Sequence, residues 1–237
     1  CDGEKCASSV PGMGGIGTGE SFRRNLAALN EIKINTCVIH GVTEPDTSIT
    51  FFGQKLSMPV MCAPITGTDT NMGGALTERE YADAVIDGSR RAGTVGWVGD
   101  GASPDKYTIG LTAIEKYNGA GIPVFKPRSG TLEILKRIKE AEKAGVIAVG
   151  LDIDAVVFKT MELKGQSVGP KSLAELREII SSTRLPFILK GIMHPRDARL
   201  AAEAGAHAIV VSNHGGRVLD QMRGSMDVLP SIVREVK

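Results

Sequence analysis

The segment PFILKGIMHPRDARLAAEAGAHAIVVSNHGGRVLD, residues 186–220, decides the fold. Its pattern predicts a buried strand that ends at Lys190, a helix that begins at Pro195, and a second strand at 208–211. Pro195 suits the first helical turn because its missing N–H is not needed there, and Gly205 suits the end of the helix. A strand, a helix and a strand in this order predict a right-handed βαβ unit in a parallel sheet.

Charged and polar side chains follow both predicted strands. Lys190 ends the first strand, and the second strand runs into Ser212-Asn-His-Gly-Gly-Arg217. A charged residue at the end of a buried strand is costly unless it faces a site. We therefore expect Lys190, His214 and Arg217 to share one rim of the sheet.

The same alternation of strand and helix recurs along the chain from Met58 to Lys237. Six units follow one another at roughly 30 residues each, close to the spacing of a (β/α)₈ barrel. Thr77 and Glu80 form a predicted capping box for the helix of the first unit. The predicted strands cover 58–65, 94–98, 122–125, 147–151, 187–189 and 208–211, and the predicted helices cover 78–92, 111–117, 131–144, 172–181, 195–204 and 228–236.

Six parallel strands could also build an open doubly wound sheet. The polar groups at the strand ends favour the barrel, because all strand ends meet at the mouth of a barrel, whereas in an open sheet only those near the switch point meet. These groups are 63–67, Asp100, Lys126, Asp152 with Asp154, Lys190 and His214. The predicted fold is thus α/β, a TIM (β/α)₈ barrel with about six of eight units in this chain. Residues 1–57 are predicted to cap the barrel, which 58–237 form.

Composition limits the class of protein. The charges nearly cancel, with 28 Lys and Arg against 27 Asp and Glu, which predicts no nucleic-acid partner. No apolar run approaches the roughly 18 residues of a membrane span. Four cysteines in a chain of this length do not form a disulfide framework, so we expect a cytoplasmic protein.

The first twenty residues contain two patterns of low specificity. Residues 12–17 match G-x-G-x-x-G formally, but no buried strand precedes them, which argues against a dinucleotide-binding turn. Cys1 and Cys6 lack the spacing of a zinc knuckle. The chain starts at Cys1 and not at Met, which suggests residues upstream.

Three motifs together resemble a known family. LKGI at 189–192, VVSNHGGRVLD at 210–220 and PVMCAPITG at 59–67 are similar to the FMN-dependent 2-hydroxy-acid dehydrogenase and oxidase family of glycolate oxidase and lactate oxidase. The likeness runs from about Phe22 to the end of the chain. It implies oxidation of an (S)-2-hydroxy acid to a 2-oxo acid, with flavin N5 as electron acceptor and O₂ or another carrier as the final acceptor. It also implies a homo-oligomer, either a tetramer or an octamer.

The resemblance implies an FMN site at the barrel mouth. Backbone groups of Ala63, Pro64 and Ile65 would line the N5 and O4 edge of the flavin, and Lys190 would lie at N1 and O2. A fixed ammonium there would stabilise the negative charge of a reduced flavin. The full implied cofactor set is Ala63, Pro64, Ile65, Thr66, Asp100, Lys126, Lys190 and Ser212.

The resemblance also implies the catalytic residues. His214 matches the base, Arg217 the clamp for the substrate carboxylate, and Asp152 the aspartate that steadies the protonated imidazole. A gapless count places Lys159 at a second clamp cation. Asp152 and Asp154 also form a D-x-D pair on one face of a strand, but no third ligand is evident and we predict no metal.

The chain departs from the family at the substrate site. The N-terminal segment has no counterpart of one family tyrosine, and Phe125-Lys-Pro-Arg128 stands where another is expected, with Lys126 at a flavin-contacting glutamine. Because Lys126 and Arg128 add charge at the rim, we expect a larger or more anionic acid than glycolate or lactate.

Two other functions remain open on the residues. A type 2 isopentenyl-diphosphate isomerase shares an FMN barrel but would need a diphosphate-binding basic set in place of SNHGGR. A non-catalytic flavin-binding protein would keep Lys190 and lose the base. The family's next two strands carry turns that bind the FMN phosphate, so we expect the natural protein to extend beyond Lys237.

Overall fold

Two β-sheets are present in residues 14–236, the part of the chain that the computed structural model describes. The strands are β1 Ile49–Phe51, β2 Gln54–Leu56, β3 Cys62–Ile65, β4 Gly96–Gly99, β5 Gly121–Phe125, β6 Val149–Asp152, β7 Phe187–Ile192 and β8 Ala208–Val211. The helices are α1 Glu20–Asn30, α2 Thr68–Asn71, α3 Glu78–Arg91, α4 Pro104–Lys116, α5 Thr131–Lys143, α6 Lys159–Leu163, α7 Leu173–Ser181, α8 Pro195–Glu203 and α9 Ser225–Glu235. Residues 1–13, with Cys1, Cys6 and the start of the glycine-rich pattern, lie outside the described residues.

The larger sheet runs from β3 to β8 in strict sequence order, and every neighbouring pair is parallel. A doubly wound sheet reverses its strand order at a switch point, and this sheet has no reversal among the described strands. The order is that of a barrel wall. The predicted fold class, a TIM barrel of which this chain carries six units, is therefore confirmed.

Strands β4, β5 and β6 are buried along their whole length because apolar groups cover both faces of the sheet. One layer packs the sheet against its helices, and it includes Ile86, Ile114, Phe125, Ile134 and Leu189. The opposite layer includes Trp97, Ile122, Val124 and Ile188, whose side chains alternate along the strands with those of the first layer.

Helix starts follow the predicted capping chemistry. The hydroxyl of Thr77 accepts from the backbone N–H of Glu80 at 3.2 Å, and the Glu80 carboxylate accepts from the N–H of Thr77 at 2.8 Å. The predicted capping box is confirmed. His194 caps α8, because its ring nitrogen accepts from the N–H of Arg196.

The two largest boundary differences from the prediction are the starts of β3 and α4. Strand β3 begins at Cys62, four residues later than predicted, and α4 begins at Pro104 and not near 111. Pro104 is tolerated in the first helical turn. Gly110, which lies inside α4, allows close packing, since an added Cβ would lie 2.9 Å from Val98 of β4.

The N-terminal segment contacts both ends of the larger sheet. Ser57, directly after β2, donates its N–H to Gly93 just before β4, and Leu56 packs in the layer that contains Trp97. Helix α1 instead packs against α9 and the turn after β8. The boundary predicted at residue 57 stays a prediction. Among residues 14–236, no helix is long and apolar enough to cross a membrane.

Candidate active site

A cavity of about 440 Å³ opens at the carboxyl ends of the parallel strands. Its volume suits a cofactor or a small-molecule ligand. The predicted site residues that line it are Ala63, Pro64, Ile65, Thr66, Asp100, Lys126, Asp152, Lys190, Ser212, His214 and Arg217. The barrel topology explains this convergence, because these residues lie on or shortly after the ends of the six parallel strands.

Lys159 is the predicted site residue that does not line the cavity. It is the first residue of α6, and its ammonium lies 3.0 Å from the Glu162 carboxylate one turn later. The short 3₁₀ turn Ala155–Val157 and the start of α6 set its direction. A gapless count from β6 could not include that local geometry, and the structure does not support a clamp role for Lys159.

His214 is held in an uncommon backbone conformation. Its φ is +58°, and Gly215 and Gly216 follow with φ of +65° and +74°. A non-glycine residue in the left-handed region needs support from its surroundings. Asn213 supplies support, because its side chain accepts from Gly216 N–H and donates to the carbonyl of Ser21 in α1.

The His214 ring lies between a carboxylate and an ammonium group. Nδ1 is 2.9 Å from Asp154 Oδ1, and Nε2 is 3.2 Å from Lys126 Nζ. An ammonium only donates, so Nε2 accepts and Nδ1 carries the proton given to Asp154. Burial first, and then the ammonium groups of Lys126 and Lys190, lower the pKa of His214 to about 4. The imidazole is therefore neutral at pH 7.

The aspartate against the imidazole is Asp154 and not the predicted Asp152. The two oxygens of Asp152 accept from Lys190 at 2.7 Å and from Lys126 at 2.8 Å, and Asp152 comes only within 3.9 Å of His214. Gly191 makes room for Asp154, because its φ is +101° and an added Cβ would overlap the Asp154 carboxylate. The role predicted for Asp152 is not supported by this geometry.

Asp152 binds two buried lysines in an ammonium–carboxylate–ammonium bridge. Burial would raise the pKa of Asp152, but Lys126 and Lys190 outweigh burial and hold it well below its usual range. Burial also opposes the charge on Lys190, yet Asp152 and Asp154 raise the pKa of Lys190 above its ordinary value. Asp152 and Lys190 are therefore both charged at neutral pH.

Arg217 lies beside the base. Its guanidinium donates to Asn71 Oδ1 at 3.0 Å and lies 4.6 Å from the ring centre of Phe158. Lys126 Nζ lies 4.5 Å from the same ring centre, and the His214 ring lies 4.8 Å from it. Burial lowers the pKa of Arg217 to about 10, so Arg217 remains a cation at pH 7.

Asp100 lines the cavity, but its carboxylate accepts hydrogen bonds from two arginines. Arg128 and Arg137 donate to Asp100 Oδ1 at 3.2 and 3.1 Å, and the backbone N–H of Lys126 donates to Oδ2 at 3.1 Å. The second nitrogen of the Arg128 guanidinium donates to Gln166. Arg128 therefore does not add charge at the rim as predicted, and the charge that this stretch brings to the cavity is that of Lys126.

Three residues of the kinds that bind metal ions lie together in the site. Oxygen or nitrogen atoms of Asp152, Asp154 and His214 lie within 4.8 Å of one another. Both oxygens of Asp152 already accept from ammonium groups, which would repel a metal cation. The absence of a metal stays a prediction.

Sequence reasoning did not assign a role in the site to Asp154, to Phe158 or to one ion pair. Asp154 carried a usable signal, since alternation along a strand already placed it on the face of Asp152. Phe158 and the ion pair of Lys106 with Glu78 carried none. Glu78 accepts from the backbone N–H groups of Gly67 and Thr68, and it thereby orders the loop after β3.

Comparisons with known proteins agree with the resemblance read from the motifs. The family model described as FMN-dependent dehydrogenase matches residues 12–172 and 156–237. An L-lactate oxidase of Lacticaseibacillus rhamnosus (strain LMS2-1) is 30% identical over 98% of this chain and 71% of its own length. A 2-hydroxyacid oxidase of Dictyostelium discoideum is 28% identical over 92% of this chain and 62% of its own length.

A solved structure of a mandelate oxidase variant with an FMN adduct is also similar. Its TM-score is 0.72 at 26% identity, over 93% of this chain and 68% of that chain. These findings confirm the predicted family and the prediction of an FMN-dependent enzyme that acts on a CH–OH group. The chain belongs to the FMN-dependent dehydrogenase family.

Proposed function

We propose that this chain binds FMN at the strand ends and oxidises an (S)-2-hydroxy acid to the 2-oxo acid, with His214 as the base. One observation carries the proposal. A neutral imidazole, with Nδ1 bound to Asp154 and Nε2 as acceptor, lines the same cavity as the cations Arg217 and Lys190. A base, an anion-binding group and a fixed ammonium are what this oxidation needs.

The residues at the strand ends fit a flavin. Ala63, Pro64 and Ile65 give the cavity an apolar wall, and Lys190 brings a buried ammonium from β7. Such an ammonium suits a ring that gains negative charge. When bound, FMN would accept the two electrons and one of the two protons that the hydroxy acid loses. Ala63, Pro64, Ile65, Thr66, Lys190 and Ser212 are the residues that we propose to hold it.

His214 would take one of the two protons that the hydroxy acid loses. Nε2 is the acceptor atom; it accepts from Lys126 in the free protein, so the Lys126 ammonium would turn from Nε2 when the substrate binds. The imidazolium that forms would be stabilised by Asp154 at 2.9 Å from Nδ1. The lowered pKa keeps the base unprotonated at neutral pH, although it also makes His214 a weaker base. The nearby carboxylates of Asp152 and Asp154 offset part of that penalty, because both raise the pKa.

Arg217 would bind the substrate carboxylate. Its guanidinium is planar, remains charged at pH 7 and lines the cavity next to His214. A carboxylate held there would place the adjacent hydroxyl-bearing carbon near the base. Fixing this orientation removes much of the entropic cost of the reaction.

The test is anaerobic reduction of the FMN-loaded protein by a panel of 2-hydroxy acids, followed by flavin absorbance. We expect at least one acid to bleach the flavin absorbance. The variant His214→Ala should bind FMN with an unchanged spectrum, but its flavin should be reduced by the acid at a rate about 100-fold or more lower. The control His40→Ala changes an exposed imidazole that bonds only to its own loop among the described residues. Equal rates for both variants would refute His214 as the base.

Two finer points belong to the same proposal. The final electron acceptor is O₂ or another carrier, and recovery of the oxidised spectrum on admitting air would identify O₂. The predicted homo-oligomer is tested by light scattering coupled to size-exclusion chromatography.

A further inference from the structure

A buried lysine, Lys126, lines the cavity. Lys126 lies at the end of β5, and only 6% of its side chain is exposed. Within residues 14–236 its ammonium donates to Asp152 at 2.8 Å and lies 3.2 Å from His214 Nε2. A lysine ammonium has three N–H groups, so one donor remains for a ligand in the cavity.

We propose that Lys126 binds the substrate carboxylate together with Arg217, and so takes the place that the sequence assigned to Lys159. This inference rests on the proposed function. It differs from the prediction of a flavin contact, because it makes Lys126 a residue that determines substrate specificity. Lys159 does not line the cavity, and its ammonium lies 3.0 Å from the Glu162 carboxylate.

The positions of the two cations suit one carboxylate. Lys126 and Arg217 line the same cavity, and Lys126 Nζ and the centre of the Arg217 guanidinium lie 4.5 and 4.6 Å from the ring centre of Phe158, so at most the sum of these two distances separates the two cations. A carboxylate between them can direct one oxygen to each cation. His214 Nε2 lies 3.2 Å from Lys126 Nζ, so a carboxylate bound to Lys126 is adjacent to the base.

The same contact couples substrate binding to the strength of the base. The charged groups that face His214 are Lys126, Lys190, Asp152 and Asp154. A carboxylate on Lys126 offsets one of the two positive charges that disfavour a protonated imidazole. His214 should therefore hold a proton more readily in the substrate complex than in the free protein. The acid limb of kcat should then lie at a higher pH than that of kcat/KM.

Oxalate is a suitable probe, because it has carboxylates but no C–H bond to oxidise. Its binding to the FMN-loaded protein is measured by the change in flavin absorbance. Lys126→Met should weaken oxalate binding by about 10- to 150-fold, the range for a hydrogen bond to a charged group. Lys126→Arg keeps the charge and should recover most of that loss. Lys116→Met, at an exposed lysine paired with Asp83, is the matched control and should change binding less than twofold.

Two further variants decide between outcomes. Lys126→Gln supplies the amide expected in the family at this position, so it keeps a flavin contact while it removes the charge, and it should weaken oxalate binding as Lys126→Met does. Unchanged oxalate affinity in Lys126→Gln would overturn the proposal. The same conclusion would follow if Lys159→Met lost affinity and Lys126→Met did not. If the unchanged protein bound oxalate but no hydroxy acid reduced its flavin, the proposed function would fail while this test still gave its answer.

Discussion

Asp154→Asn tests the assignment of the residue that orients the base. The substitution keeps the shape of the side chain and an oxygen that can accept from Nδ1, but it removes the negative charge 2.9 Å from the ring. A hydrogen bond to a charged group contributes about 1.5–3 kcal/mol, which is roughly 10- to 150-fold in rate. We expect the larger part of that loss in the rate constant of flavin reduction, measured by stopped-flow absorbance at saturating substrate.

The matched variant is Asp152→Asn, which removes the charge shared by Lys126 and Lys190. Breaking a buried ion pair by removing one partner costs about 3–5 kcal/mol, so this variant should lose stability in urea and affinity for FMN. Asp154→Asn should change stability much less, because its amide still pairs with the ring. If Asp152→Asn slowed flavin reduction at unchanged stability and Asp154→Asn reacted normally, the residue that orients the imidazole would be Asp152 and not Asp154.

Three other predictions concern the same site. The acid limb of kcat/KM for flavin reduction should lie near pH 4, because His214 accepts a proton only above its lowered pKa; a limb near the ordinary value of about 6.5 would contradict this. Gly191→Ala should displace Asp154 and slow flavin reduction, whereas Gly88→Ala, where an added Cβ meets no atom within 4 Å, should leave the rate unchanged. Steady-state rates with glycolate and L-lactate should fall below those with a larger or more anionic 2-hydroxy acid. Equal rates would contradict this preference, which is expected because the two family tyrosines are missing.

The fold was predictable because its determinants are local and repeated. Each unit carries an apolar strand, a polar end and a helix with a recognisable start, as Thr77 and Ser172 show with their capping boxes. The start of α4 was not predictable from this pattern. Gly110 interrupts the apolar periodicity of the helix for a reason that lies in another element, namely the approach of α4 to Val98.

The site was predictable in its membership and less so in its pairing. Topology alone brings the strand ends together, and for that reason Lys190, His214 and Arg217 converge as expected. Which carboxylate meets which cation depends on distances that no spacing contains. Asp152 and Asp154 share a face of the chain, and the choice between them is made by the room at Gly191 and by the reach of Lys126.

The charges of this buried cluster predict how the site should treat an uncharged analogue of its substrate. Three basic side chains, those of Lys126, Lys190 and Arg217, and two acidic side chains, those of Asp152 and Asp154, surround the neutral imidazole of His214, so the formal charge of the cluster is one positive charge in excess. A carboxylate that binds there balances this charge, whereas the amide of the same hydroxy acid does not. The acid should therefore bind more tightly than the amide, and the ratio of their dissociation constants should shrink in Lys126→Met. This comparison is a double-mutant cycle between the ammonium and the ligand charge, which isolates their interaction from effects on folding. A ratio that stayed the same in Lys126→Met would show that the ligand charge is balanced without Lys126.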